Sequence, residues 1–150
     1  MNKLFTVATA VAFALFTFSA NAQLADKIVS GGDIVVPAYI SNALKSDQRP
    51  DEEKARDANR QPGKVMAFFD VKPGDKTAEL LTFGGYYAGV LSGIVGETGV
   101  VYGQNNDWIM KRQDDGKSPI EKRIAEQGLT NVVDLVSELE KPNLPKGEMD

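Results

Sequence analysis

The chain has 150 residues, room for one domain, with 42% hydrophobic and 25% charged residues, the composition of a soluble globular protein. Its net charge of −4 leaves no basic excess to displace counterions from nucleic acid or to grip an anionic lipid surface. Cys and His are both absent, so disulfides, thiolate chemistry and imidazole catalysis are excluded, and the Asp and Glu residues show no metal-binding spacing.

The first 22 residues predict a cleavable secretory signal. Asn2 and Lys3 make a short positive start, an apolar run extends from Leu4 to Phe18, and Ser19-Ala20-Asn21-Ala22 ends in an A-x-A pattern. The run is too short for a membrane span, and no stop-transfer cluster follows it. Cleavage is expected after Ala22, with delivery to the periplasm or the exterior and no span in the mature form. Residues 23–48 read as a surface leader, broken at Gly31-Gly32, in which Tyr39-Ile40 and Ala43-Leu44 fit a short helix.

From residue 49 the pattern becomes regular. Pro50 suits a first helical turn, and Asp51, Glu52 and Glu53 complement the helix dipole, so a helix is predicted from Pro50 to Arg60. Pro62 opens another helix, with Val65, Phe68 and Phe69 on one face. Lys72-Pro73-Gly74-Asp75 is a turn. Thr77 to Leu81 reads as a strand, Tyr86 to Val95 as a helix and Val100 to Gly103 as a strand. Ser118-Pro119-Ile120-Glu121 is a capping box that starts a helix ending at Gly128, and Val132 to Val136 is a third strand. Strand, helix, strand, helix, strand is the unit of an open, mostly parallel α/β sheet.

Ligands of such sheets sit beyond the carboxyl ends of the strands. Three ends can be read here: Glu79-Leu80-Leu81-Thr82-Phe83-Gly84-Gly85, Tyr102-Gly103-Gln104-Asn105-Asn106 and Ser137-Glu138-Leu139-Glu140. Arg56-Asp57-x-x-Arg60-x-Pro62, Phe68-Phe69, Lys72-Pro73-Gly74-Asp75 and Val101-Tyr102-Gly103-Gln104-Asn105 stand in order between Arg49 and the third strand. In these motifs residues 49–150 resemble the class I S-adenosylmethionine-dependent methyltransferases, and more narrowly an exported bacterial branch of predicted methyltransferases.

The resemblance implies a Rossmann-like sheet, of which this would be the first βαβαβ half preceded by short helices, with S-adenosylmethionine as cofactor. It implies cofactor-binding roles for Glu79, which starts the motif, for Gly84 and Gly85 in the loop, for Asn105 at the second strand end and for Glu138 near the adenine amine. It names neither a catalytic base nor a methyl acceptor. The chain departs from the family at Leu81 and Phe83, where the loop usually has Gly, and at Asn105, where an acid is usual. The last departure exchanges charge-assisted bonds of about 1.5–3 kcal/mol for neutral ones of about 0.5–1.5.

The family's sheet has further strands, so the chain reads as an incomplete domain whose first strand is left as an edge, open to self-association. A non-catalytic periplasmic binding or interaction protein on the same scaffold is the alternative. An NAD-dependent dehydrogenase is a weaker third, because the loop lacks G-x-G-x-x-G.

Overall fold

A computed structural model of the chain describes residues 34–150, so the signal segment and Gly31-Gly32 lie outside the described residues. Residues 35–150 form one compact unit. Four short helices come first: α1 (Ala38–Leu44), α2 (Asp51–Lys54), α3 (Asp57–Arg60) and α4 (Pro62–Phe68). Then follow β1 (Lys76–Leu80), α5 (Tyr86–Val95), β2 (Val100–Asn105), α6 (Asp107–Met110), α7 (Pro119–Gln127) and β3 (Val132–Val136). The three strands form a parallel sheet in the order β1-β2-β3, with Ala78 opposite Tyr102 and Tyr102 opposite Val133. This is the expected Rossmann-like βαβαβ arrangement.

The alternation of sequence dictates the layers. α5 buries Ala88, Val90, Leu91, Ile94 and Val95 against β1 and β2. Ile120 of α7 is fully buried, and a Cβ on Gly103 in β2 would stand 3.1 Å from it. α5 and α7 therefore share one face of the sheet. By the two-residue period, Ala78, Leu80, Tyr102, Val133 and Leu135 belong to the other face, where Leu80 and Val133 are 49% and 42% exposed.

Local chemistry explains the helix ends. The Ser118 hydroxyl accepts the Glu121 amide at 3.0 Å, and Gly128 ends α7 at φ 63°. Asn106 caps α6, accepting the Ile109 amide at 3.2 Å. The turn before β1 is held by Asp75, whose carboxylate accepts the Lys72 amide at 2.7 Å.

Three expectations need correction. The helix predicted from Pro50 to Arg60 is two helices with a break at Ala55-Arg56. Just past the break, Arg49 and Tyr86 both bind the Asp57 carboxylate. On α4 the buried residues are Pro62, Gly63, Met66 and Ala67, while Phe69 is exposed. The bulky Val65, Phe68 and Phe69 suggested the opposite face. Finally, the segment read as a surface leader packs α1 onto α4 and α5, with Ile40 fully buried.

Among the described residues β1 is an edge strand of the sheet. Its outer rim is met only at Lys76 among the described residues: the Asp150 amide donates to the Lys76 carbonyl at 3.1 Å, and the Lys76 amide donates to the Asp150 carboxylate at 2.9 Å. Beside this rim runs a groove of about 800 Å³, lined in part by Met66, Val71, Ala78, Leu80 and Leu91. No helix among the described residues is long and apolar enough to cross a membrane.

Candidate functional site

The site is built where three strands end together. Leaving β1, the chain makes a tight loop in which Leu81 and Phe83 both adopt left-handed backbone conformations, at φ 53° and 50°. Gly85 follows at φ 74° and caps α5. A Cβ at Gly85 would stand 2.3 Å from Cδ1 of the fully buried Ile120, which would have to shift. Gly84 is the opposite case: it is exposed, and a Cβ there would meet nothing within 4 Å. Its carbonyl accepts from Arg123 Nη1 at 3.2 Å.

Glu79 works behind this loop. Its Oε2 accepts the Thr82 hydroxyl at 2.5 Å and the Ala88 amide at 2.7 Å. The carboxylate thus serves as the N-terminal acceptor that α5 otherwise lacks, since Gly85 has no side chain to offer. Burial pushes the Glu79 carboxyl up, against the pull of Thr82 and Ala88.

Gln104 and Asn105 brace the same loop from β2. Asn105 is fully buried; its Oδ1 accepts the Phe83 amide at 2.8 Å and its Nδ2 donates to the Phe83 carbonyl at 3.2 Å. Gln104 Oε1 accepts the Leu81 amide at 3.1 Å, while its Nε2 donates to the Ser137 carbonyl at 2.5 Å. One pair of amides therefore ties together the ends of β1, β2 and β3. Glu138 follows Ser137 and is exposed. Of the five residues singled out in the sequence, Gly84 and Glu138 are open to a ligand, Gly85 shapes the turn, and Glu79 and Asn105 hold the loop.

A second layer of charged residues, with no local signal in the sequence, lies around this loop. Arg123 of α7 forms a buried, two-pronged ion pair with Glu53 of α2, with Nη2 to Oε2 at 2.9 Å. The guanidinium lies against Gly89, where a Cβ would stand 2.0 Å from Nη2. On the neighbouring rim, Arg49 grips Asp57 at 2.7 and 2.8 Å, and the Tyr86 hydroxyl donates to the same carboxylate at 2.6 Å. The Arg49 hydrogen bonds hold the Asp57 carboxyl below its usual range, whereas burial and then Asp57 push the Tyr86 phenol up. The glycine at position 89 was visible in the sequence, but Arg123 and Glu53 are 70 residues apart. Among the described residues no cluster of acids is arranged to hold a metal.

No family model matches the chain, and no curated protein matches its sequence. Solved structures do. The chain is similar to a SAM-dependent methyltransferase from Aquifex aeolicus, with 30% identity over 74% of this chain and 53% of that one, at a TM-score of 0.54. It is similar to a protein-L-isoaspartate O-methyltransferase at 16% identity, over 81% of this chain and 42% of that one, with a TM-score of 0.53. The chain thus spans about half the length of the solved structures it matches. Over that span its fold is the open α/β fold of the S-adenosylmethionine-dependent methyltransferases.

Proposed function

We propose that the chain binds S-adenosylmethionine across its strand ends as part of an exported methyltransferase. The observation that carries this reading is the 30% identity to the Aquifex aeolicus protein, over a stretch covering 74% of the chain. The site fits the cofactor in part. Gly84 leaves room for close approach of a ligand to backbone, and Glu138 offers an exposed acceptor to an adenine amine. Glu79 and Asn105 would act indirectly, by fixing the loop that the cofactor meets. When bound, the cofactor would supply the methyl group; the residues described here would bind and orient it. Export rests on the N-terminal signal pattern.

One observation favours a second reading, a non-catalytic binding protein on the same scaffold. Asn105 is fully buried and turned to Phe83, so its amide does not reach a ribose at the surface.

Calorimetry separates the two. Under the first reading S-adenosylmethionine binds saturably, Glu79→Ala weakens it by loosening the loop, and Phe83→Gly tightens it. Absence of binding by both the parent and Phe83→Gly, each shown to be folded, would leave the non-catalytic reading.

A further inference from the structure

Three arginines surround the Tyr86 ring: the Cζ atoms of Arg60, Arg56 and Arg49 lie 4.5, 5.2 and 5.7 Å from its centroid. Only Arg49 has a carboxylate partner, Asp57. Arg56 and Arg60 are exposed, and among the described residues neither forms an ion pair or donates a side-chain hydrogen bond. Glu52 stands four positions before Arg56, but no ion pair joins them among the described residues. Asp51 is engaged with Lys54, and Glu53 with Arg123.

The result is a local positive excess in a chain whose net charge is −4. The ring that carries it is held firmly. The Tyr86 hydroxyl is bound to Asp57, and the Tyr87 hydroxyl donates to the Arg60 carbonyl at 3.3 Å. A guanidinium set over an aromatic ring keeps its plane fixed while its N–H edges stay free, which is the form that grips an oxyanion in two-pronged fashion. Tyr86 is the first residue of α5 and comes two residues after the open Gly84. The patch therefore sits on the rim of the strand-end site.

We infer that Arg56 and Arg60 form a binding site for the oxyanion group, carboxylate or phosphate, of a small molecule. Its identification as the acceptor's anionic end rests on the function proposed above; the site itself does not. An acceptor so held would lie beside the loop that carries Gly84.

The test follows the arginine Nε–Hε signals by NMR while the 150-residue chain is titrated with inorganic phosphate, and separately with acetate. Saturable shifts at Arg56 and Arg60 are expected, and Arg56→Gln with Arg60→Gln should weaken binding at least roughly tenfold. The stronger of the two titrations identifies the oxyanion. Arg112 is the control, since it too lies on an aromatic ring, 3.4 Å from the Trp108 centroid. Equal shifts at Arg112, or none at Arg56 and Arg60, would overturn the site. Arg56→Lys with Arg60→Lys keeps the charge but loses the fork, and should also bind weakly; undiminished binding there would overturn the two-pronged geometry. The arginine variants should leave S-adenosylmethionine affinity unchanged. A parallel loss of that affinity would assign both arginines to the cofactor and overturn the acceptor role. A chain that binds phosphate but never S-adenosylmethionine would sink the proposed function and leave the anion site standing.

Discussion

The left-handed loop after β1 makes a prediction with a definite sign. Phe83 sits at φ 50° with about half its side chain exposed. An L-residue in this conformation is strained by about 1–2 kcal/mol, which glycine relieves. Glycine in turn loses about 0.4–1 kcal/mol more backbone entropy on folding than alanine. Phe83→Ala removes the ring and keeps the strain, whereas Phe83→Gly removes both. Glycine should therefore be better than alanine here by about 0.5–1 kcal/mol, the reverse of the order at an ordinary position. The amides of Leu81 and Phe83, which donate to Gln104 and Asn105, report the local stability of the loop through hydrogen exchange. After correction for intrinsic rates, both should exchange about two- to fivefold more slowly in Phe83→Gly than in Phe83→Ala. Slower exchange in the alanine variant would refute the argument that strain is stored in this loop.

Gly89→Ala should cost about 1–3 kcal/mol, because its Cβ would stand 2.0 Å from Arg123 Nη2 and the buried guanidinium would have to shift against Glu53. In chemical denaturation the same change made on an Arg123→Ala background should cost far less. Asp134 has its Oδ1 buried without a partner, and burial pushes its carboxyl up from 3.8. Its folded form favours the proton, so its contribution is most favourable below pH 3.8 and is lost as pH rises through the raised value. Asp134→Asn should accordingly stabilise the protein at neutral pH, and the gain should vanish in acid; a gain independent of pH would contradict this. On secretion, N-terminal sequencing should find a mature start at Gln23, and intact Met1 on exported soluble protein would contradict the signal reading.

Strands and long helices were legible because their signals are local. Val132 to Val136 is read in the sequence and found at the same bounds, and Ser118 with Glu121 marks the start of α7. What was not legible depends on residues far apart. Nothing near Asp57 announces that Tyr86, 29 positions on, will bind it, yet that contact accompanies the break between α2 and α3. In the sequence, Glu79 reads as a ligand from its place in a motif. Its bond to the Ala88 amide shows a helix-capping role that depends on the closure of the loop. Asn105 likewise reads as a ligand from its position at a strand end. The side of the strand on which its amide works became apparent only from the Phe83 backbone that it meets on both edges.

The paired amides of Gln104 and Asn105 also bear on motion. Leu81, Phe83 and Ser137 are each tethered to adjacent positions of one strand. None of these three residues can shift without straining a hydrogen bond to β2, which gives the two loops a shared anchor. A ligand that lifts Phe83 would have to release two bonds to Asn105 before the loop yields, which separates small adjustments from a discrete, slower opening. Such an opening would be felt at Ser137, and so at Glu138, although neither lies in the loop that the ligand first touches.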